Sequence, residues 1–297
     1  MNGPLITDIT RASLHDGPGV RSVAYCKGCP LACLWCHNPE TQRAGAEILR
    51  RADKCIGCGR CLEVCPACHS LRDGALVYDR QPCHSCGRCA DACPGEALTL
   101  CGARWAPDTL AAELLKDKAY HVRSGGECLL YPDYVTALLE RLRAARVHCV
   151  IESALCVPWA HVERVVALTD AFLIDIKHMD PETHRRVTGQ SNETILANLA
   201  RLAAVHPDIT IRVPLIPGVN DAFENLLQTA QFAITTGGGI RAMELLRYNP
   251  LGQAKYAALG RDATLFEDSP RGGGEMDALC AGLNQHTGRE SFVFWTP

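Results

Sequence analysis

The chain has 297 residues, 47% hydrophobic and 21% charged, with a formal net charge of −3. That charge gives no general basic field for a nucleic-acid partner, and no apolar run reaches the roughly 18 residues a membrane span needs. The opening MNGPLITDITRASLHDGPG lacks a cationic stretch followed by an apolar one, so no export signal or membrane partner is expected and the chain reads as cytoplasmic.

The outlier is 18 cysteines. Disulfides belong to small secreted domains with thin cores, so a chain this long without an export signal points to metal or redox chemistry. The first apolar strand is RSVAYC (21–26), and directly after it Cys29, Cys33 and Cys36 read C-x3-C-x2-C. Three thiolates on a cubic iron–sulfur cluster leave one iron without a protein ligand, which is what separates a catalytic metal from a structural one. Two other readings stay open: a cysteine-rich turn, or an ordinary cluster that borrows Cys26. Cys26 lies on the apolar run, where a buried strand thiol is the default.

Two further segments repeat one pattern: CIGCGRCLEVCP, with Cys55, Cys58, Cys61 and Cys65, and CHSCGRCADACP, with Cys83, Cys86, Cys89 and Cys93. Both read C-x2-C-x2-C-x3-C-P, the run with which bacterial ferredoxins bind 4Fe–4S clusters. Three thiolates on a tight loop cap one cube. The fourth, carried onward by a short helical turn and a proline, reaches the other. The expected sets are Cys55, Cys58, Cys61 and Cys93 on one cluster, and Cys83, Cys86, Cys89 and Cys65 on the other. A pair of zinc sites competes, but zinc ligands usually come as two separated C-x2-C pairs.

Beyond residue 101 the pattern is α/β. Strands are expected at 148–153, 171–177, 209–216 and 241–248, alternating with helices, which implies a parallel sheet. In the helix of YPDYVTALLERLRAARV, Val135, Leu138, Leu139 and Leu142 share one face, and Pro132 suits the first turn. In SNETILANLARLAAV the face is Ile195, Leu196, Leu199, Leu202 and Ala203, with Ser191 or Asn192 as cap. Cys68, Cys101, Cys128, Cys149, Cys156 and Cys280 match no cluster interval, and buried thiols are the default for each.

The segment GVRSVAYCKGCPLACLWCHNPE resembles the cluster loop of the radical S-adenosylmethionine (SAM) superfamily. The preceding HDGPGVR, the ferredoxin-type pair, and later DIKHMDPETHRRVTGQSNETILANLARL, IRVPLIPGVND and LGQAKYAALGR narrow the resemblance to the glycyl-radical-enzyme activating enzymes with two extra 4Fe–4S clusters, the pyruvate formate-lyase activating enzyme type. The resemblance implies an α/β fold, a partial (β/α)6 TIM-type barrel interrupted by a ferredoxin-like insert. Residues 1–50 would be its first segment with the cluster loop, 51–101 the two-cluster insert, and 102–297 the remainder.

It also implies three 4Fe–4S clusters, one of which binds SAM through the open iron of Cys29, Cys33 and Cys36, the catalytic cysteines. Trp35 and His37, flanking Cys36, match the part of the loop against the adenine. SGGE (124–127) matches the motif that meets the methionine amino group, with Gly126 the nearest analogue and Glu127 beside it. Asp175, Ile176 and Lys177 match the strand end on the ribose side, and Arg212 a strand arginine facing the site. Glu152 and Asp175 are candidate oxygen donors for a monovalent cation. Ordinary alternatives accompany each of these: a common turn for SGGE, an exposed ion pair for Asp175 and Lys177, a simple acid partner for Arg212.

Two departures stand out. Where family members usually place a histidine before LG, this chain has Asn249, which can hydrogen-bond but not carry a proton charge. And AYHVRSGGECLLYPDYV reads as if about nine residues between two glycine repeats were missing, removing the second barrel strand and leaving its neighbours' backbone groups unpaired. They stay so unless AYHVR (119–123) slides in to replace it, for which the sequence carries no signal.

The implied activity is reductive cleavage of SAM to methionine and a 5′-deoxyadenosyl radical, which abstracts hydrogen from a backbone glycine of a glycyl radical enzyme. Flavodoxin or ferredoxin would supply the electron, a monomer is expected, and the setting is anaerobic metabolism. A radical enzyme with a small-molecule or peptide substrate of its own, or a non-catalytic electron carrier with a damaged SGGE region, are the other readings.

Overall fold

A computed structural model describes residues 3–13, 19–117, 121–264, 266 and 271–296. Residues 15–18 of HDGPGVR and 119–120 of AYHVR lie outside these. The strands are β1 (Leu5–Ser13), β2 (Arg21–Cys26), β3 (Glu47–Arg50), β4 (His69–Arg72), β5 (Ala75–Tyr78), β6 (Leu98–Cys101), β7 (Ala103–Arg104), β8 (His121–Gly125), β9 (Cys149–Ser153), β10 (Ala171–Asp175), β11 (Ile209–Leu215), β12 (Ile240–Arg247) and β13 (Val293–Trp295). Nine of them form one sheet in the order β13-β12-β11-β10-β9-β8-β2-β1-β7. From β2 through β8 to β13 every neighbouring pair is parallel, and β1 and β7 close the far side antiparallel. Consecutive strands of this run lie side by side, with helices such as Pro132–Ala144, Trp159–Val166, Glu193–Val205 and Phe223–Thr236 in the connections. The fold is thus α/β on a parallel sheet, and the four strands expected beyond residue 101 form within two residues of their expected ends.

Side-chain alternation along a strand separates two faces. Cys149, Ile151, Phe172, Ile174, Ile209, Ile211, Val213, Met243 and Leu245 join the main core with the apolar stripes of the helices. Each such side chain fully removed from water contributes about 1.5–3 kcal/mol. The intervening residues face the other way. There, Val150, Ala171 and Leu173 make a small separate cluster, and beyond it toward the strand ends come Glu152, Asp175, Arg212 and Glu244. The apolar face builds the domain and the opposite face is free for charge.

The strand that looked missing is present. β8 stands between β2 and β9, with Tyr25 opposite Gly125 and Ser124 opposite Ile151. HVRSG has weak strand character, yet ladder bonds to parallel neighbours on both sides satisfy its backbone groups, and position in the sheet outweighs propensity. The SGGE motif begins inside the strand and turns at its carboxyl end.

At the start of Glu193–Val205, Asn192 occupies the cap position without capping. Its Nδ2 instead donates to the carbonyls of His178 and Met179, at 3.0 and 2.7 Å, tying the helix to the segment after β10. Ser191 Oγ accepts from the Glu193 amide at 3.4 Å.

The cysteine-rich stretch is separate from the main core. β3 pairs with β6 and β4 with β5, both antiparallel, around a small cluster of Ile48, Cys61, Cys89 and Leu98. Among the described residues no helix is long and apolar enough to cross a membrane.

Candidate active site and cluster cavities

The loop after β2 is fixed by its backbone. Gly28 and Cys29 amides donate to Thr41 and Gln42 carbonyls at 2.6 and 3.1 Å, Ala32 and Leu34 to Thr188 and Val187 at 2.7 and 3.1 Å, and Cys36 to Cys33 at 3.1 Å. Held this way, Cys29, Cys33 and Cys36 lie close enough to interact electrostatically. Burial pushes all three thiols up, Cys33 to about 12, against the opposing pull of Lys177 on Cys33 and Cys36. Three thiols that ionise so reluctantly alone suit a strongly positive group that would neutralise their thiolates.

Two strand ends meet this loop. Gly126 has φ +68°, and a Cβ on it would lie 2.3 Å from the Cys26 carbonyl oxygen, so only glycine fits where the turn closes on β2. Glu127 donates its amide to Gly28 at 3.3 Å. Its carboxylate turns inward, accepting from Ser153 Oγ at 2.9 and 3.0 Å and from the Ala154 and Leu129 amides at 3.1 and 3.4 Å. Burial pushes this carboxyl up to about 7, although those donors favour the charged form. Glu127 therefore holds the turn to β9, and its side chain is already committed to that work.

At the end of β10, Lys177 Nζ sits 2.7 Å from Asp175 Oδ2. Burial alone would lower the amine, but Asp175 and Cys33 outweigh it and hold the lysine charged. Ile176 packs into the core, and only its backbone, bonded to the Arg212 carbonyl at 3.0 Å, faces this region. Arg212 joins Glu152 at 3.1 Å and Glu244 at 3.2 Å, an acid–base–acid row across β9, β11 and β12. Both proposed cation donors, Glu152 and Asp175, thus already pair with a side-chain cation.

Trp35 is half-buried with its ring edge toward Phe266, centroids 6.3 Å apart. His37 is exposed beside Gly252, where an added Cβ would meet the His37 backbone at 3.0 Å. Asn249 is exposed, and its Oδ1 accepts from the Leu251 amide at 2.9 Å, stabilising the turn that brings Gly252 to the loop.

Sequence reasoning missed the charges that anchor the loop from below. Lys27, fully buried, donates to the Glu40 carbonyl at 2.5 Å and to Glu47 at 3.2 Å. Arg261 reaches the same Glu47 at 2.5 Å, and Lys255 binds Glu40 at 2.8 Å and Asn38 at 2.5 Å. Lys255 and Arg261 fall within LGQAKYAALGR, so a signal for them existed. Lys27 carried none.

The two ferredoxin-type runs adopt one geometry twice. Gly57 and Ser85 have φ +69° and +50°, and Gly59 and Gly87 have φ +75° and +84°. Each run then enters a one-turn helix, Arg60–Val64 or Arg88–Asp91. Cys55, Cys58, Cys61 and Cys93 line one cavity with Arg50, Ile56, Leu76 and Leu98. Cys65, Cys83, Cys86 and Cys89 line a second with Cys68, Tyr78 and Arg88. Four cysteines around each cavity suit a multi-iron cluster, as the repeated C-x2-C-x2-C-x3-C-P run does.

The second cavity is rich in donors. Burial raises the Cys83 thiol, but the Tyr78 hydroxyl at 3.0 Å and Ser85 amide at 3.3 Å outweigh it and hold it low. Cys68, beside Cys65 and Cys83, is pushed up to about 12 by burial and by those sulfurs, and stays a thiol. Burial and Cys83 likewise keep Tyr78 protonated.

Residues 108–230 match the radical SAM superfamily, and residues 47–94 a 4Fe–4S dicluster domain. The (2S)-3-sulfopropanediol dehydratase activating enzyme of Klebsiella oxytoca is 40% identical over 270 residues, 86% of this chain and 85% of that protein. The benzylsuccinate synthase activating enzyme of Thauera aromatica is 41% identical over 276 residues, 88% of this chain and 83% of that one. The indoleacetate decarboxylase activating enzyme of Tractidigestivibacter scatoligenes is 35% identical, with 95% of each chain covered. SuiB of Streptococcus suis, solved with its precursor peptide, superposes with a TM-score of 0.52 over 66% of this chain and 43% of its own at 12% identity, a likeness of fold alone.

Proposed function

The chain belongs to the radical SAM activating enzymes of glycyl radical enzymes, and from that premise we propose how its residues divide the work. It is an oxidoreductase that generates a radical from SAM and acts on a glycyl radical enzyme. Cys29, Cys33 and Cys36 would hold the SAM-binding cluster. The sets Cys55, Cys58, Cys61, Cys93 and Cys65, Cys83, Cys86, Cys89 would hold two auxiliary ones, giving three in all. When bound, the first cluster supplies one electron to SAM, whose sulfur–carbon bond breaks to release methionine and the 5′-deoxyadenosyl radical that takes hydrogen from the partner's glycine.

The observation that carries this reading is the meeting at one edge of the sheet of the cysteine loop, the Gly126 turn and the Asp175–Lys177 pair. Ligands bind outside the carboxyl ends of parallel strands, where connecting loops converge. Because glycine lets the turn close against Cys26, the backbone at Gly126 would be held beside the cluster loop to meet the methionine amino group. Asp175, paired with Lys177, would meet the ribose hydroxyls. Trp35 offers an apolar face to the adenine, with the His37 backbone next to it. Arg212, held between two acids, presents fixed positive charge toward the site. Asn249 would act through the turn it stabilises. A monovalent cation at Glu152 and Asp175 would have to displace Arg212 or Lys177, so the two ion pairs stand in for it.

The proposed architecture is a (β/α)6 partial barrel with residues 51–101 as a ferredoxin-like insert between 1–50 and 102–297, a reading supported by the parallel order from β2 to β13. A monomer in the cytoplasm, with flavodoxin or ferredoxin as electron donor, completes the reading. The test uses anaerobically reconstituted protein. Titration calorimetry should show SAM binding, and mixing with reductant, SAM and the cognate glycyl radical enzyme should produce a glycyl radical signal in paramagnetic resonance. Cys33→Ala should lose one cluster's worth of iron together with SAM binding. Unchanged iron and unchanged SAM binding in that variant would overturn the assignment.

A further inference from the structure

The two auxiliary cavities are built from one repeated motif but differ in what faces their sulfurs. Each has one arginine, but Arg50 donates to the Leu76 carbonyl at 2.8 Å, whereas Arg88 hydrogen-bonds the Cys86 sulfur within the second run. Donors from beyond the runs differ as well. Around Cys55, Cys58, Cys61 and Cys93 the other side chains are chiefly Ile56, Leu76 and Leu98. Among the described residues no side-chain donor reaches those sulfurs from beyond their own run. Around the second set, Tyr78 Oη donates to Cys83 Sγ at 3.0 Å, and the Cys68 thiol lies against Cys65 and Cys83.

Tyr78 is held firmly in place. The His69 ring stacks on it, with centroids 4.9 Å apart and planes 18° from parallel. The Arg80 guanidinium lies 4.8 Å from its ring centre. Arg80 in turn donates to the carbonyls of Ile48 and Ala258, both at 2.6 Å. Ala258 belongs to the helix Gln253–Leu259 that carries Lys255, so the hydroxyl is positioned from both the cysteine-rich stretch and the main fold. A second-sphere group anchored this way serves a fixed purpose more readily than a surface tyrosine would.

Reduction of a 4Fe–4S cluster adds one electron and no proton, and the extra negative charge spreads onto the ligand sulfurs. A donor on those sulfurs strengthens as that charge grows, so it stabilises the reduced form and raises the potential. We infer that Tyr78 and Cys68 are tuning residues that make the cluster of Cys65, Cys83, Cys86 and Cys89 the more easily reduced of the two auxiliary clusters. Electrons then pass downhill from the set with Cys55 to the set with Cys83. This rests on the ligand sets proposed above.

The experiment uses the full-length chain with Cys29, Cys33 and Cys36 all changed to Ala, reconstituted with iron and sulfide, so that only the auxiliary sets remain. Stepwise reduction with dithionite, followed by paramagnetic resonance, should give two waves. Tyr78→Phe should leave the iron content unchanged and lower the reduced-to-oxidised ratio of the higher wave tenfold at its original midpoint, a shift of about 59 mV for one electron. The lower wave should not move. Adding Cys83→Ala should abolish the wave that Tyr78→Phe shifts, and adding Cys55→Ala should not. Full iron with neither wave shifted, or a shift confined to the lower wave, overturns the inference and leaves the ligand sets standing. If the three-alanine chain binds no iron, the ligand sets themselves fail and the inference with them. Should Tyr78→Phe lose iron, Cys68→Ala gives the second reading: a smaller downward shift of the same wave supports the inference, and an unmoved wave overturns it.

Discussion

Gly126 lies directly against Cys26, with room for 2.3 Å between the Cys26 carbonyl oxygen and a Cβ that glycine does not have. The contact joins the turn after β8 to the end of β2, the strand that delivers the cluster loop. Gly126→Ala would place a side chain in the left-handed region, costing about 1–2 kcal/mol before the clash is counted. The backbone must then move away from β2. We predict at least a roughly tenfold weaker SAM affinity, about 1.4 kcal/mol, with iron content retained, both measurable on one reconstituted sample.

The cavity linings predict a crossed pattern of iron loss. Cys55→Ala and Cys93→Ala should each remove the same cluster, although the residues are 38 positions apart, and the double variant should lose no more than either single one. Combining Cys55→Ala with Cys83→Ala should remove both auxiliary clusters. Iron and sulfide analysis distinguishes this from a sequential pairing, in which Cys93→Ala would behave like Cys83→Ala.

Lys27 is a buried cation whose partners are Glu47 and the Glu40 carbonyl. Lys27→Met removes the charge, keeps much of the volume, and leaves Glu47 with Arg261 and the exposed Arg43. Breaking a buried pair from one side costs about 3–5 kcal/mol, and the remaining Arg261 contact puts the expectation at about 3 kcal/mol. Thermal unfolding of the reconstituted protein should report it as a clear drop in midpoint. Arg43→Ala, which touches Glu47 at 3.5 Å from an exposed position, should change little.

β8 is the part of the sheet whose sequence argues least for a strand. Its amides at 122–124 should nonetheless exchange with solvent within about tenfold of those in β9, because slow exchange follows hydrogen bonding in the core rather than propensity. Exchange at the rate of an open loop would mean that β2 and β9 are not bridged, and SAM binding at Gly126 would then be unexpected.

Glu127 shows a role that resemblance alone did not identify. Its carboxylate accepts from Ser153 and two backbone amides, so Glu127→Ala leaves buried donors unpaired, at a cost of about 1–3 kcal/mol for each. Glu127→Gln should lose less, since the amide oxygen still accepts while its NH2 faces the Ala154 amide. A calorimetric melt of both variants would rank them.

Much of this protein was readable from spacing. Two runs of C-x2-C-x2-C-x3-C-P and a preceding C-x3-C-x2-C specify thiolate positions locally, because a short loop with a left-handed residue at Gly59 or Gly87 leaves the sulfurs few directions to point. The apolar strands 171–175 and 209–215 were equally legible, since burial on the helix-covered face demands alternating large aliphatic residues. What stayed hidden depended on residues far apart in the chain. Whether HVRSG closes the sheet is decided by β2 and β9, and whether Glu127 meets a ligand or Ser153 by where β9 ends. The ties of Lys27 to Glu47 and of Arg80 to Ala258 likewise arise only when separate segments pack. Sequence determines local geometry and chemical type; only the folded chain determines which charges and donors are left facing one another, because those pairings depend on distances that no local pattern encodes.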